Sequence, residues 1–347
     1  MSYSDTYHTA RWWIRLPDSA EKIQCLLCPH KCIIKQGFTG ICKVRKNIEG
    51  KLFSMSYGHP VAMQIDPIEK KPLYHFHPGE SIFSIGTFGC NLSCDFCQNW
   101  NISQTGYENG GNINYYSPQD IIHTCKKADV RMIAFTYNEP VVFAEYMIDI
   151  AELANKEGIK TVAVTNGYLC GELVSDIFSR IDAFNIDLKG FSDSFYRKYT
   201  GSSFSDIQKT MITLGSMGKH IELTTLLIPG LNDSEDDLRK EFKWIRDTLG
   251  SHTPLHLSAF YPGYKRLYHP STKRESLIQA RKLAMEIGLY YVYIGNVHDV
   301  DNSTYCPDCH ALIVNRQNYQ GRPEADNICQ CGRLIDIIND KNRNSDK

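Results

Sequence analysis

The sequence lacks the features that would direct it to a membrane or to a nucleic acid. It has no apolar run of the roughly 18 residues that cross a bilayer, and its first residues contain no apolar signal-peptide core. Lys and Arg number 38 against 39 Asp and Glu, so the net charge of −1 provides no global field for a polyanion. We therefore expect a cytoplasmic protein that contacts neither a membrane nor nucleic acid.

A disulfide scaffold is also excluded, although cysteine is plentiful. The 13 cysteines in 347 residues fall well below the roughly 8–10% that is typical of small disulfide-linked domains. Clustered thiols in a reducing compartment more often hold metal than each other. Cys125 and Cys170 stand alone, and we expect both to be buried and inert. The other cysteines form three groups: Cys25, Cys28, Cys32 and Cys42; Cys90, Cys94 and Cys97; and Cys306, Cys309, Cys329 and Cys331.

Short apolar runs alternate with amphipathic stretches in the middle of the chain, whereas residues 1–60 lack this pattern and are expected to be rich in loops. Such runs are typical of buried strands, and helices between them indicate crossovers in a parallel sheet. Six or seven such units favour a barrel, complete or open, over a doubly wound sheet. The predicted strands are 81–86, 132–136, 161–165, 183–188, 221–228, 255–260 and 289–294.

The change in pattern predicts three domains. Residues 1–79 form a cysteine-rich extension, residues 80–298 form the α/β barrel, and residues 299–347 form a zinc-ribbon-like segment with a polar tail.

The middle cysteine group carries the strongest chemical signal. Residues 87–100, TFGCNLSCDFCQNW, follow the first predicted barrel strand and place three cysteines on one loop. Loops at the carboxyl ends of barrel strands are where such folds build their active sites. Three thiolates leave one iron of a 4Fe–4S cluster without a protein ligand and open to a small molecule. The alternative is a structural zinc site that takes a fourth ligand such as His75 or His77.

The segment PLYHFHPGESIFSIGTFGCNLSCDFCQNWNISQ at 72–104 resembles the radical S-adenosylmethionine (SAM) superfamily. Within it, the segment is most similar to the radical SAM enzymes of the AmmeMemoRadiSam system, which are akin to the activases typified by pyruvate formate-lyase activating enzyme. The resemblance implies a partial (β/α)6 barrel with a 4Fe–4S cluster on Cys90, Cys94 and Cys97. It also implies that this cluster reductively cleaves SAM to a 5′-deoxyadenosyl radical, which abstracts hydrogen from a small-molecule or protein substrate.

The resemblance further implies a set of SAM contacts. Asn138 and Glu139 stand where the superfamily has a GGE-like segment, although the glycines are missing, and Glu139 could instead be a first-turn helix acid. Asp187 and Lys189 match a DLK segment of the activases, with a surface ion pair as the alternative. Tyr261 stands where the activases have a histidine. The full set of expected cofactor contacts is Phe96, Gln98, Asn138, Glu139, Asn166, Asp187, Lys189 and Tyr261.

The two flanking cysteine groups predict further metal sites. The first has the spacing Cys-x2-Cys-x3-Cys-x9-Cys, which favours a four-thiolate zinc site. A second iron–sulfur cluster and unmetallated thiols are the alternatives. The last group resembles a zinc ribbon, although its second pair, Cys329 and Cys331, is Cys-x-Cys and therefore less regular. One or two structural zinc ions are thus expected.

The implied partners are SAM, an electron donor such as flavodoxin or ferredoxin, and Memo-like and AMMECR-like proteins. Besides a radical SAM enzyme acting on an unknown substrate, two other functions are open. One is a glycyl-radical-enzyme activase. The other is a non-catalytic metal-binding module, which the intact set of loop cysteines disfavours.

Overall fold

The N-terminal part of the chain consists of two small antiparallel sheets. The structure is a computed structural model that describes residues 7–17, 19–107, 113–316, 320–323 and 327–339. The first sheet has the order β1-β6-β5 and the second the order β2-β3-β4. Their strands are β1 (His8–Thr9), β2 (Trp13–Leu16), β3 (Ser19–Cys25), β4 (Ile33–Lys35), β5 (Arg45–Ile48) and β6 (Lys51–Ser54). The expectation of a loop-rich segment was wrong, because these strands are too short to show an apolar alternation.

The centre of the molecule is an eight-stranded sheet whose order follows the sequence from β7 to β14. β7 is antiparallel to β8, and every later pair is parallel. Helices connect the parallel strands, so the predicted α/β partial barrel is confirmed. The strands are β7 (Ala62–Pro67), β8 (Ser81–Gly86), β9 (Met132–Thr136), β10 (Lys160–Thr165), β11 (Ala183–Leu188), β12 (His220–Leu227), β13 (Leu255–Ala259) and β14 (Val292–Gly295).

The helices pack apolar faces against this sheet. A Ser–Asp capping box at Ser117 and Asp120 begins α2, and a left-handed Gly288 ends α8. None of the described helices is long and apolar enough to span a membrane. The helices are α1 (Trp100–Ser103), α2 (Pro118–Lys127), α3 (Ala144–Lys156), α4 (Val174–Phe178), α5 (Asp193–Tyr199), α6 (Phe204–Ser216), α7 (Glu235–Thr248) and α8 (Arg274–Ile287), with 3-10 turns at Ile68–Lys70, Pro140–Phe143 and Gly171–Leu173.

The last predicted strand begins later than expected. The apolar run starts at Leu289, whereas β14 starts at Val292. Leu289 is buried, but its N–H donates to Ala284 in the last turn of α8. The apolar run therefore includes buried residues that precede the paired strand.

A buried ion pair joins the N-terminal sheets to the barrel. The two terminal guanidinium nitrogens of Arg45 on β5 donate to the Glu145 carboxylate on α3, at 2.9 and 3.0 Å. The two side chains are 2% and 0% exposed. β7 also pairs with β8 although it lies within the predicted extension. The domain boundary at residue 79 stays a prediction, while the central sheet itself begins at Ala62.

The C-terminal segment forms a small antiparallel sheet of β15 (Thr304–Tyr305), β16 (Leu312–Asn315) and β17 (Arg322–Pro323). It packs against the barrel through Arg316, whose guanidinium lies 4.4 Å from the centre of the Tyr74 ring. The Asp336 carbonyl also contacts Nδ1 of His75 at 2.8 Å. The final residues of the predicted polar tail, 340–347, lie outside the described residues.

Candidate active site

The loop with the middle cysteine group leaves the carboxyl end of β8. Cys94 is buried, and Cys90 and Cys97 are partly buried. The N–H of Leu92 donates to the Cys90 sulfur at 3.4 Å, and the Ser103 hydroxyl lies 3.2 Å from the Cys97 sulfur. Hydrogen bonds to cysteine sulfur tune the potential of a bound iron–sulfur cluster.

The conformation of this loop is fixed from several sides. Gly89 has a φ of +88°, and a Cβ there would lie 2.4 Å from the Cys42 carbonyl oxygen, so a side chain does not fit. The N–H of Ser93 donates to the Thr200 carbonyl at 2.9 Å. Asp95 accepts two hydrogen bonds from Arg266, at 3.0 and 2.6 Å. The three thiols are therefore held on a preformed scaffold.

An asparagine pair supports the first cysteine. Asn166, which follows β10, donates to the Asn91 side-chain oxygen at 2.9 Å and lies 3.8 Å from the Cys90 sulfur. Asn91 in turn donates to the Tyr168 carbonyl at 2.6 Å. The loop cysteines are thus tied to the neighbouring strand end.

The three thiols open into a cavity with an empty volume of about 1130 Å³ at the carboxyl ends of the barrel strands. Two of the expected cofactor contacts, Glu139 and Tyr261, do not line it. The expected residues that do line it are Cys90, Cys94, Cys97, Phe96, Gln98, Asn138, Asn166, Asp187 and Lys189.

Asn138 presents a free acceptor in this cavity. Its side-chain nitrogen donates to the Thr87 carbonyl at 3.0 Å. Its side-chain oxygen is buried and has no hydrogen-bond partner among the described residues. An ammonium group is a donor that would satisfy this oxygen. Three thiols for a cluster and one free acceptor for an amino group fit the cofactor pair that the motif implies.

Glu139 lies behind the cavity wall rather than in it. Its carboxylate accepts hydrogen bonds from Val141 N–H at 3.0 Å, the Thr165 hydroxyl at 2.6 Å and Asn166 N–H at 2.7 Å. Burial raises the pKa of Glu139 to about 7, although these hydrogen bonds oppose the shift. Glu139 therefore caps the 3-10 turn and positions Asn166.

Tyr261 also lies away from the cavity. Its side chain is 46% exposed, and its hydroxyl donates to the Asn296 carbonyl at 2.8 Å.

Asp187 and Lys189 form an ion pair at the end of β11, with 3.1 Å between the lysine nitrogen and the carboxylate. Burial opposes the charge of Lys189, but Asp187 and Cys94 together outweigh it and raise the lysine pKa. The pair places one cationic and one anionic group on the cavity wall.

Burial favours the protonated thiols of Cys90 and Cys94. Burial raises the pKa of Cys94 to about 12, although Lys189 opposes this shift. Burial raises the pKa of Cys90 as well. Because metals bind thiolates, assembly of a cluster here must release protons.

A second cavity, with an empty volume of about 1280 Å³, opens between the segment that follows β7 and the loop that follows β14. It is lined by Arg316, His256 and His298, among others. Lys70 and Pro72, two residues of the predicted extension, line both cavities. Nothing in the sequence indicated this role, because neither residue belongs to a recognisable motif. The residues shared by the two cavities are Lys70, Pro72, Thr224 and Ser258.

The flanking cysteine groups differ in geometry. The sulfurs of Cys306, Cys309, Cys329 and Cys331 all lie within 4.8 Å of one another and form a metal site. The irregular second pair therefore does converge on the first. Among the described residues this is the only such group, so no three sulfurs of Cys25, Cys28, Cys32 and Cys42 lie that close together.

Comparison with known proteins identifies the family. Residues 84–242 match the model of the radical SAM superfamily, and this range contains the three loop cysteines. A relative from Methanocaldococcus jannaschii, Uncharacterized protein MJ0808, is 40% identical over 338 residues, which are 95% of this chain and 99% of that protein. The chain belongs to the radical SAM superfamily. It is therefore an enzyme of the class that combines an iron–sulfur cluster with SAM and a reductant.

More distant radical SAM proteins share part of the chain. The pyruvate formate-lyase-activating enzyme of Clostridium pasteurianum is 24% identical over 161 residues, which are 44% of this chain and 64% of that enzyme. The crystal structure of a radical SAM methyltransferase from Sphaerobacter thermophilus is 13% identical and covers 88% of this chain and 81% of its own, with a TM-score of 0.49.

Proposed function

We propose that this radical SAM enzyme binds a 4Fe–4S cluster on Cys90, Cys94 and Cys97, binds SAM at the open iron, and abstracts hydrogen from a substrate in the second cavity. The observation that carries the proposal is that Asn138, whose buried side-chain oxygen has no partner among the described residues, lines the same cavity as the three thiols. A cluster held there would supply one electron to SAM, so that the sulfonium C–S bond splits into methionine and a 5′-deoxyadenosyl radical, which would take a hydrogen atom from the substrate.

The residues of the chain bind and orient SAM. The Asn138 oxygen accepts from the amino group, and Lys189 pairs with the carboxylate of SAM. Asp187 accepts from the ribose hydroxyl groups. Gln98 and Phe96 line the cavity beside the cysteines, where Phe96, 3% exposed, limits the access of water. Asn166 holds Cys90 and is itself positioned by Glu139.

The shared residues between the two cavities support the placement of the substrate. Lys70 and Pro72 lie where the SAM cavity meets the second cavity. A substrate in the second cavity would therefore lie next to the SAM cavity, and a reactive carbon radical requires such proximity. Charged and polar side chains on its wall, such as Arg316 and His298, favour a substrate with polar groups.

Anaerobic turnover tests the proposal. The reconstituted enzyme is mixed with SAM and dithionite, and 5′-deoxyadenosine is measured by chromatography. We expect product from the wild-type enzyme and from Cys125→Ala, whose thiol lies outside both cavities, and none from Cys94→Ala. Equal product from the Cys94→Ala variant would contradict the proposal. A deuterated candidate substrate then reports hydrogen transfer through deuterium in the 5′-deoxyadenosine.

Activation of a glycyl-radical enzyme is the second candidate, and the names of three relatives favour it. Besides the Clostridium enzyme, activating enzymes of (2S)-3-sulfopropanediol dehydratase and of choline trimethylamine-lyase match about a third of the chain. Incubation with a glycyl-radical enzyme and SAM would then yield a glycyl radical detectable by electron paramagnetic resonance. Absence of that signal, together with uncoupled 5′-deoxyadenosine, favours the first candidate.

The partners follow from the resemblance and belong to this proposal. A flavodoxin or ferredoxin would supply the electron, and Memo-like and AMMECR-like proteins would bind the folded enzyme. Size-exclusion chromatography of the mixed proteins tests the latter, and separate elution at micromolar concentration would contradict it.

We also propose that the C-terminal metal site holds zinc. A zinc ion with bonds of about 2.3 Å to sulfur separates its thiolates by about 3.8 Å. Cys306 and Cys331 have sulfurs 3.6 Å apart, and those of Cys309 and Cys329 are 3.4 Å apart. Four thiolates leave such an ion no open position, so its role is structural.

A further inference from the structure

The N-terminal cysteines are not used by the proposed reaction, yet they converge on one pocket. We propose that Cys25, Cys28, Cys32 and Cys42 bind a second 4Fe–4S cluster rather than zinc. The proposal goes beyond the proposed function and does not depend on it. Three features of the described residues support it: the separation of the sulfurs, the lining of the pocket, and a buried guanidinium N–H without a hydrogen-bond partner.

The separation of the sulfurs disfavours a single metal ion. A zinc tetrahedron holds all its thiolates about 3.8 Å apart, and the C-terminal group meets that condition. The N-terminal group does not, because no three of its sulfurs lie within 4.8 Å of one another. In a four-iron cluster each thiolate binds a different iron, so the thiolates stand further apart. The radical SAM loop is similar in this respect, because the sulfurs of Cys90, Cys94 and Cys97 also do not all lie within 4.8 Å of one another.

The pocket between these cysteines has the apolar lining of a cluster site, and all four cysteines contribute to its wall. Aliphatic side chains from the extension and from the barrel enclose it, including Ile34, Ile41, Val141 and Val142. Exclusion of water of this kind protects iron–sulfur clusters and tunes their potential.

A buried donor without a partner in the described part of the chain, the Nε of Arg45, indicates an acceptor in this pocket. Arg45 lines the pocket and is 1% exposed. Two of its guanidinium nitrogens bind Glu145, but its Nε has no hydrogen-bond partner among the described residues. A four-thiolate 4Fe–4S cluster is an anion, and a buried donor beside it would be satisfied.

The pocket also touches the radical SAM loop. Asn91, which follows Cys90, lines the pocket, and its carbonyl oxygen lies 2.8 Å from the ring nitrogen Nε2 of His30. The two clusters would therefore be separated by one short loop segment.

Iron analysis of a chain without its radical SAM cysteines tests the proposal. The variant Cys90→Ala/Cys94→Ala/Cys97→Ala is reconstituted anaerobically and measured for iron, sulfide, zinc and Mössbauer spectrum. We expect about four irons per chain with a 4Fe–4S spectrum. Adding Cys28→Ser and Cys42→Ser should remove this iron, whereas adding Cys125→Ser should not.

The reverse variant separates this proposal from the proposed function. Cys28→Ser/Cys42→Ser alone should retain about four of the roughly eight irons of the wild-type protein. Two results for the triple variant would overturn the proposal of a second cluster. One is a protein that contains no iron and two zinc ions, and the other is a protein whose N-terminal thiols all react with a thiol reagent. Should the triple variant fail to fold, a wild-type content of only about four irons would overturn it equally.

Discussion

At the scale of single residues, the site depends on polar side chains that bond to the protein through some of their polar atoms and leave other polar atoms for a ligand. Asn138 donates to the Thr87 carbonyl and keeps its oxygen unpaired. Asp187 and Lys189 pair with each other and still line the cavity. These residues leave polar groups for a ligand.

Removal of the Asn138 amide should weaken SAM binding. A hydrogen bond to a neutral amino group contributes about 0.5–1.5 kcal/mol, so Asn138→Ala should raise the Kd for SAM roughly 2-fold to 10-fold. The measurement is calorimetric titration of the reconstituted enzyme. Asn155→Ala is the matched control, because its side chain binds the Arg180 carbonyl on the surface. An unchanged Kd in Asn138→Ala would argue against its role.

Glu241 should make the stability depend on pH. It is buried on α7, and burial raises its pKa to about 8 from an ordinary value of 4.5, although the Thr225 hydroxyl opposes the shift. Between these values the folded protein holds the proton more tightly than the unfolded chain. Stability is therefore lost as pH rises through this range, by up to about 1.4 kcal/mol per pH unit.

Substitution by glutamine isolates this effect. Glu241→Gln should gain stability relative to wild type as the pH rises from 5 to 8.5, as measured by urea unfolding. Glu235→Gln, on the exposed face of the same helix, should run parallel to wild type. A constant difference between Glu241→Gln and wild type across this range would show that Glu241 is ionised in the folded protein.

The cavity residues could be predicted from the sequence in part. The loop cysteines and Asn138 follow strand ends, Asp187 is the second-to-last residue of β11, and the carboxyl ends of parallel strands meet at one edge. Glu139 follows the same strand as Asn138, but its side chain turns into the protein to cap the next turn. Sequence position fixes the strand end and does not fix the direction of the side chain.

At the scale of elements, the predicted barrel strands agree with the structure where the run is buried on both faces. β9, for example, is buried at every position. The N-terminal strands were missed because strands such as β4, with one buried residue in three, give no pattern to detect. Their attachment to the barrel combines the long-range ion pair of Arg45 and Glu145 with apolar residues such as Ile34 that share the barrel's core.

Breaking that ion pair should destabilise the protein strongly. Glu145→Ala leaves the Arg45 charge buried without its partner, and we expect a loss of about 3–5 kcal/mol in the free energy of unfolding. The exposed pair between Arg239 and Glu235 provides the control, because Glu235→Ala should cost less than about 1 kcal/mol. Similar losses for the two variants in urea unfolding would contradict a buried pair.

At the scale of the whole molecule, the three cysteine groups lie in different places and have different proposed roles. The barrel loop faces the cavity, the N-terminal group lies behind it, and the C-terminal group lies in a segment that packs on Tyr74 and His75. The sequence predicted the three groups from their spacing. It could not predict their metals, because the separation of the sulfurs is set by the fold.

Loss of the C-terminal metal should loosen that segment without touching the barrel chemistry. Cys309→Ser should lower the zinc content by about one ion per chain and raise the rate of proteolysis after residue 300. The absorbance of the iron–sulfur clusters should stay at the wild-type level, since this group lies outside the SAM cavity. A parallel loss of cluster absorbance would show that the segment supports the barrel loop.

The central claim is that three sulfurs leave one iron free for SAM. The most direct measurement is electron–nuclear double resonance of the dithionite-reduced enzyme with SAM that carries ¹⁵N in its amino group. We expect a ¹⁵N coupling to the cluster in the wild-type enzyme and in Cys28→Ser/Cys42→Ser, and none in Cys94→Ala. A wild-type spectrum that is unchanged by labelled SAM would contradict the account.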